Sequence, residues 1–171
     1  MSSLGGELLL DLNSGFEWHG VLYLHESTGA QPGGVLFEAG GAKGGPKVTV
    51  GLRDGGLVFV LTDLDGKELV TSPSIPATEL LRPVDIGCVL NPPFQAPARL
   101  QLMVNFEERA SAVGEVHLGR AEIVRSSFGT DLQGEAAATF SLFETLAYNK
   151  VLSAEERAQL RAYLTGRFTL G

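Results

Sequence analysis

The sequence predicts an all-β fold, a two-sheet antiparallel β-sandwich with one short helix near its C-terminal end. Three observations predict it. Short runs alternate apolar and polar residues, as in Val48, Val50 and Leu52, which is the pattern of a half-buried strand. Glycine and proline, 22 and 8 of the 171 residues, separate these runs and supply the tight turns that a many-stranded fold needs. Only the segment after Leu152 changes to a helical period.

The alternating runs predict about eleven strands. They cover residues 7–12, 16–25, 35–39, 47–53, 57–62, 67–71, 82–90, 98–106, 113–118, 121–125 and 139–148. Turns at 54–56 and 65–66 join three of them into a meander. Residues 107–109 are interpreted as a polar break, and residues 126–138 as a loop. A change of parity at His19 and Gly20 predicts a β-bulge in the second strand.

The last predicted strand and the helix after it carry the strongest local signals. Bulky residues on both faces of 139–148 predict a mostly buried strand. Ser153 followed by Glu156 is a capping box, which marks a helix start. Leu160 and Leu164 then form an i, i+4 apolar stripe flanked by Tyr163. Gly166 is expected to close the helix in the left-handed region.

Part of this tail has a recognisable pattern. The residues are Glu144, Tyr148, Asn149, Leu152, Ser153, Glu156, Tyr163 and Leu164. They resemble the C-terminal signature of laminin-G-like, concanavalin A-like jelly-roll domains. The resemblance is confined to residues 144–164 and implies a cap helix locked onto a sandwich. It carries no chemistry by itself.

Composition limits the partners and the compartment. The formal net charge is −7, which argues against nucleic acid and anionic membranes, because phosphate binding needs clustered cations. No apolar run reaches the roughly 20 residues of a membrane helix. Cys88 is the single cysteine, so we expect a buried thiol and no disulfide. The N-terminus lacks the features of a signal peptide. We therefore expect one domain, residues 1–171, made in a cytoplasm.

No catalytic arrangement is predicted, and we expect a protein that is not an enzyme. Glu107 and Glu108 are adjacent, so in a strand they would point to opposite faces and could not share one cleft. The histidines are His19, His25 and His117. Two of them, six residues apart on one strand, would lie about 20 Å apart and could not share a metal. Because side chains alternate across a strand, we expect either Trp18 or His19 in the core and the other at the surface.

No cofactor or metal is expected. Asp63, Asp65 and Gly66 resemble the start of a calcium loop but lack its remaining ligands, so a hairpin turn is the preferred interpretation. A calcium ion on the sandwich rim, which the resemblance to laminin-G-like domains implies, stays open. The glycine-rich segment 40–45 lacks the Gly-Lys-Ser/Thr ending of a phosphate-binding loop.

Two functional hypotheses follow, both non-enzymatic. The first is an accessory virion protein, such as a phage capsid decoration, spike or fibre component. It would contact capsid or other virion proteins, or further copies of itself, through sheet edges and residues 1–12. Domains of this fold usually act outside cells, yet the sequence shows no export signal. A virion protein would reconcile these two observations. The alternative is a glycan-binding lectin-type module, with Trp18, Tyr23 and Asn105 as candidate contacts.

Overall fold

The alternating runs form antiparallel strands in the computed structural model, which describes residues 12–25, 34–40, 46–63, 65–92, 97–116, 125–129 and 139–170. The strands are β1 (Phe16–Leu24), β2 (Gly34–Gly40), β3 (Lys47–Arg53), β4 (Gly56–Thr62), β5 (Glu68–Thr71), β6 (Ile75–Pro76), β7 (Val84–Leu90), β8 (Ala98–Val104), β9 (Glu107–Gly114), β10 (Arg125–Phe128) and β11 (Phe140–Tyr148). The helix α1 spans Ala154–Arg167. This confirms the predicted fold class, an all-β sandwich with one C-terminal helix.

The strands form two sheets. Sheet I has the order β11-β1-β7-β8-β9, and sheet II has the order β10-β2-β3-β4-β5 with β6 paired to β4. Residues from the inner faces of both sheets form one core. At its centre the Trp18 indole stacks on the Phe37 ring, with centroids 4.9 Å apart and planes 6° from parallel. The indole N–H donates to Thr145 Oγ1 at 2.8 Å, so the buried donor is satisfied.

The meander of β3, β4 and β5 is confirmed. Asp54 and Gly55 make its first turn with φ of 50° and 76°, the left-handed pair that a two-residue hairpin requires. Of the predicted strand 7–12, Leu12 lies in a turn and the rest is outside the described residues. Within the predicted strand 121–125, Arg125 begins β10, which runs on to Phe128 where a loop was expected.

The polar break expected at residues 107–109 is wrong, because these residues begin β9. The chain turns one step earlier, at Asn105 and Phe106, which have φ of 52° and 68°. Among the described strands, β9 pairs with β8 alone, so Glu107 and Glu108 lie in an edge strand and reach solvent. Charges at such a position are compatible with a strand and discourage edge-to-edge pairing.

The bulge expected at His19 and Gly20 is also wrong. Strand β1 keeps one parity, and Gly20 lies on the inner face beneath the indole of Trp18. A Cβ at Gly20 would lie 2.5 Å from Trp18 Cζ2, so glycine replaces a large residue at an inward position. The irregularity belongs to β11 instead, where Val21 pairs with Glu144 and Leu22 with Leu142.

Phe143 is therefore the extra residue of a β-bulge in β11, and the bulge exchanges the two faces of this strand. Phe140 and Leu142 pack on the main core, whereas Leu146 and Tyr148 pack under the helix. Strand β11 is an edge strand of sheet I, and its residues are half-buried or exposed. The expectation of a mostly buried strand is thus wrong.

Helix α1 covers the outer face of sheet I. The capping box is confirmed in both directions: Ser153 N–H donates to Glu156 Oε2 at 2.9 Å, and Glu156 N–H donates to Ser153 Oγ at 3.2 Å. Leu160 and Leu164 are buried against Val21 in a second apolar cluster. None of the helices in the described ranges is long and apolar enough to cross a membrane.

The helix does not end at Gly166 as expected. It continues to Arg167, and Phe168 caps it in an extended conformation, with φ of −128°. The Phe168 N–H donates to the carbonyl of Leu164 at 2.8 Å. A residue with extended backbone thus satisfies a terminal carbonyl, and no left-handed glycine is needed.

We predict that Ser153→Ala lowers the free energy of unfolding by about 1 kcal/mol, because it leaves an N-terminal amide of α1 without its acceptor. Urea denaturation followed by Trp18 fluorescence measures it. Thr165→Ala, which removes an exposed hydroxyl from the same helix, is the control and is expected to stay within about 0.5 kcal/mol. Equal midpoints for Ser153→Ala and the wild type would contradict the capping role.

Candidate functional site

A buried charged network lies between sheet I and α1. Glu17 and His19 alternate with inward residues along β1, and Asp85 lies on the adjacent β7. The His19 ring is held at both nitrogens: Nδ1 lies 2.8 Å from Asp85 Oδ2, and Nε2 lies 2.9 Å from Glu17 Oε1. The relative exposure of all three residues is 1% or less.

Helix α1 and the residue before its N-cap supply the remaining partners of Glu17. Arg157 donates from Nε to Glu17 Oε1 at 2.8 Å and from Nη2 to Oε2 at 2.7 Å. The Leu152 N–H donates to the same Oε2 at 2.9 Å. A bidentate guanidinium–carboxylate pair is strong and directional. The network therefore joins β1, β7 and the start of α1.

The network fixes the charge states of two of its members. Burial alone would raise the pKa of Glu17, but hydrogen bonds from Arg157 and His19 outweigh it and lower the pKa to about 2. Burial alone would lower the pKa of His19, but hydrogen bonds to Asp85 and Glu17 raise the pKa to about 9. Near neutral pH, Glu17 is therefore a carboxylate and His19 an imidazolium.

Space for the imidazole is built into the sheet. A Cβ at Gly87, the partner of His19 across the strands, would lie 2.8 Å from His19 Cε1. Phe106 stacks on the ring with centroids 5.0 Å apart. The expectation that one of Trp18 and His19 would lie at the surface is wrong, because both are buried. Trp18 lies in the core between the two sheets, and His19 lies between sheet I and α1.

The network resembles an acid–histidine–acid catalytic relay but lacks what such a relay needs. Within the described ranges, the hydrogen bonds of the His19 ring involve Asp85 and Glu17 and no serine, threonine or cysteine side chain, and Glu17, His19 and Asp85 have almost no exposed surface. Cys88 is buried as expected, and burial raises the pKa of its thiol well above the ordinary range, which leaves it unreactive. Among the described residues, no group of three or more His, Cys, Asp or Glu could hold a metal ion.

The residues suggestive of a calcium loop form a turn. Asp63 Oδ1 accepts from the backbone N–H groups of Asp65 and Lys67, each at 2.9 Å. The Asp63 side chain thus stabilises the β4–β5 connection, as in an Asx-turn. The interpretation as a hairpin turn is confirmed.

A recess of about 350 Å³ opens on the outer face of sheet II. Its lining comes from β2 to β5: Gly34, Val35, Glu38, Lys47, Thr49, Gly51, Leu52, Arg53, Val58, Val60, Thr62, Gly66 and Glu68. Val58 and Val60 are only 7% and 4% exposed. The side chains around these two valines therefore cover most of their surface.

Polar and charged side chains lie beside these valines. Glu38 is 2% exposed, accepts a hydrogen bond from Thr49 Oγ1 at 2.9 Å and lies 3.2 Å from Lys47 Nζ. Arg53, at the end of β3, also lines the recess and forms a bidentate pair with Glu68. The recess therefore combines an apolar floor with hydroxyls and with two carboxylates whose charges balance those of two cations.

The three residues suggested as glycan contacts do not come together, and none lines the recess. Trp18 is 1% exposed inside the core, so its proposed stacking on a sugar is wrong. Tyr23 lies on the opposite face of β1, edge-on to His25 with centroids 5.1 Å apart. Asn105 holds the β8–β9 turn, where its Oδ1 accepts from the Asp85 N–H at 2.9 Å.

The residues of the C-terminal signature do act as a clamp. Leu152 and Leu164 are buried in the second cluster, with Tyr148 packed against it. Tyr163 donates from its hydroxyl to Glu144 Oε1 at 3.2 Å. Asn149 follows β11 in a bend. These contacts hold the helix on the outer face of sheet I. The recess lies on the other side of the sandwich, on the outer face of sheet II.

No protein-family model matches the chain, and no curated protein sequence matches it. Solved structures share its fold. A botulinum neurotoxin serotype D binding domain matches with a TM-score of 0.66 and 14% identity, over 92% of this chain and 39% of that chain. The receptor binding domain of botulinum neurotoxin mosaic serotype C/D matches with 0.65 and 13%, over 88% and 36%.

A third neighbour is a botulinum neurotoxin serotype D ligand binding domain in complex with N-acetylneuraminic acid, with a TM-score of 0.65, 13% identity and coverage of 88% and 36%. At such identities the likeness establishes the fold alone. The chain spans only 36–39% of the length of these neighbours. Its class is therefore a β-sandwich domain, and membership of the laminin-G-like or concanavalin A-like family stays a prediction.

We predict that the His19 imidazole titrates near pH 9, because its ion partners favour the charged form. Because folding raises the pKa of His19, its charged form stabilises the fold fully below about pH 6.5. Roughly 3 kcal/mol of this stabilisation is lost as the pH rises through 9. The lowered pKa of Glu17 adds stability above about pH 4.5 that is lost toward pH 2. Ring ¹⁵N shifts measured by NMR give the midpoint, and a value near 6.5 for His19 would contradict the network.

Proposed function

We propose that this chain is a non-catalytic binding module that takes a saccharide in the recess of sheet II. The observation that carries the proposal is the lining of that recess. Val58 and Val60 offer an apolar floor, and Glu38 and Thr49 stand beside it with a carboxylate and a hydroxyl. Small-molecule sites likewise place polar groups beside an apolar surface, and the many polar and charged side chains of this lining suit a ligand rich in hydroxyl groups.

The chemistry of a sugar fits this lining. One face of a pyranose ring carries C–H groups that can pack on valines, while its hydroxyls both donate and accept hydrogen bonds. The Lys47 side chain is 34% exposed and can donate to a sugar hydroxyl, and Glu38, 3.2 Å from its Nζ, holds the ammonium group in place. A volume of about 350 Å³ lies at the lower end of the range for small-molecule sites and suits one or two sugar rings.

The absence of a catalytic role is part of the proposal. Glycoside hydrolysis needs two carboxyl groups that flank the scissile bond. In the recess, Glu68 is tied to Arg53 by two hydrogen bonds, which leaves Glu38 as the other acid of the lining. The structural neighbours support a binding role, since they are receptor-binding or ligand-binding domains, one of them in complex with N-acetylneuraminic acid.

We predict that a glycan array, run with and without calcium, yields a saccharide ligand whose affinity falls at least about tenfold in Glu38→Gln or Thr49→Val. Loss of a hydrogen bond to a charged group costs about 1.5 kcal/mol, which is a tenfold change. Isothermal titration calorimetry measures the affinity.

Glu107→Gln, an exposed acid on the edge of sheet I, is the matched control and is expected to bind as the wild type does. Thermal midpoints within a few degrees of the wild type show that the variants fold. An array without hits, or equal losses in the control, would contradict the proposal. Release of sugar fragments during incubation would contradict its non-catalytic part.

The accessory virion role remains a second proposal, supported by the free edges of the sandwich. On edge strand β9, Val113 is 64% exposed, and exposed apolar residues on an edge strand are suited to contact another chain. In this proposal the protein is made in the cytoplasm and joins capsid or other virion subunits, or further copies of itself.

Deletion of residues 1–6 is expected to weaken particle assembly without unfolding the sandwich, because the predicted contacts include the N-terminal segment. Quantitative gel analysis of purified particles measures occupancy, and circular dichroism of the free protein serves as the folding control. Full occupancy by the truncated chain would count against this role.

A further inference from the structure

A second candidate site lies at the C-terminal end of α1, on the opposite side of the sandwich from the recess. Three aromatic rings and an ion pair meet there: Phe143 on β11, Tyr163 and Arg167 on α1, Phe168 just after it, and Glu144 beside the bulge. We call these five residues the aromatic cluster. The rings of Phe143 and Phe168 are 6.2 Å apart and inclined by 41°.

Exposure sets these rings apart from the core aromatics. Phe143 and Tyr163 are 53% and 45% exposed, and they are the two aromatic members of the exposed large hydrophobics among the described residues. Both belong to this one cluster. A half-exposed phenylalanine on an edge strand adds little stability and invites aggregation, so stability alone gives no reason for it.

The bulge in β11 explains how Phe143 comes to be exposed. Val21 pairs with Glu144 and Leu22 with Leu142, so Phe143 has no partner in β1. The extra residue directs its ring outward, next to Phe168. Bulges are often found where a side chain is re-aimed for function.

Arg167 is held in place by its neighbours but keeps a large exposed surface. Its guanidinium carbon lies 5.7 Å from the centre of the Tyr163 ring and 5.8 Å from that of Phe168. Its Nη1 lies 3.2 Å from Glu144 Oε2 and also donates to the Tyr163 hydroxyl. The side chain is still 58% exposed. An oriented guanidinium of this kind loses little entropy when it binds a ligand.

We propose that the aromatic cluster is a second binding site, for the ring of a neutral hexopyranose in an oligosaccharide. The C–H face of the sugar packs on the exposed Phe143 ring, and adjacent hydroxyls donate to Glu144 and accept from Arg167. One cation and one anion balance each other at the site, which favours a neutral sugar over an acidic one. The inference shares its ligand class with the proposed function but rests on separate residues.

Two saccharide sites on one domain would act together on a long glycan. The first is in sheet II, and the second is beside α1, across sheet I. A chain that reaches both is held at an effective concentration set by its length, which raises the overall affinity above that of either site. Short oligosaccharides, which reach only one site, would not show this gain.

The test uses the full chain and three neutral probes, cellohexaose, maltohexaose and mannohexaose, in titrations followed by NMR of the aromatic side chains. We expect one probe to shift the resonances of Phe143, Tyr163 and Phe168 together. Phe143→Thr, which keeps strand propensity, is expected to weaken that binding by at least about tenfold, because it removes the ring on which the sugar packs. Arg167→Met is expected to weaken it by a similar factor while keeping the apolar stem.

Val113→Thr on edge strand β9 is the matched control, because it removes an exposed apolar side chain elsewhere, and it should leave binding unchanged. Glu38→Gln should also leave the aromatic shifts unchanged, which separates failure of this site from failure of the recess. Unshifted aromatic resonances with all three probes would overturn the inference. It would also be overturned if Phe143→Thr abolished self-association in light scattering without affecting sugar binding, since the cluster would then be a contact between copies.

Discussion

The buried carboxylate of Glu17 is the interaction on which the arrangement of the fold depends. It accepts from Arg157 and the Leu152 N–H of the helix segment and pairs with His19 of its own strand. A buried charge without partners would cost several kcal/mol, so the strand and the helix must remain together. A 14-residue helix is marginal alone in water, and this network with the apolar cluster around Leu164 holds it.

The position of α1 on sheet I determines which outer surfaces of the sandwich stay exposed. Helix α1 covers the outer face of sheet I at β1, where Val21 packs against Leu160 and Leu164. The outer face of sheet II carries the recess with Glu38. At the far end of α1, the bulge in β11 turns Phe143 outward beside Arg167. The same element that closes one side of the sandwich thus brings aromatic and charged side chains together at its own end.

Much of the fold could be predicted from local sequence patterns. Alternation in β3, the turn at Asp54 and Gly55, and the capping box of Ser153 depend on neighbouring residues alone. The bulge at Phe143 could not be placed, because it follows from the register against β1 and a slip of one residue exchanges the faces. At residues 107–109, the run of charged residues favours an interruption between two strands, although an edge strand accepts charged residues.

The candidate sites were harder to foresee, because their members are distant in the sequence. His19 meets Asp85 across 66 positions, and Glu17 meets Arg157 across 140. A double-mutant cycle with Glu17→Gln and Arg157→Met tests the central role of this pair most directly. We expect a coupling energy of about 2 kcal/mol in the free energy of unfolding. A coupling energy below about 0.5 kcal/mol would show that the helix is held without this charge pair and would contradict the account.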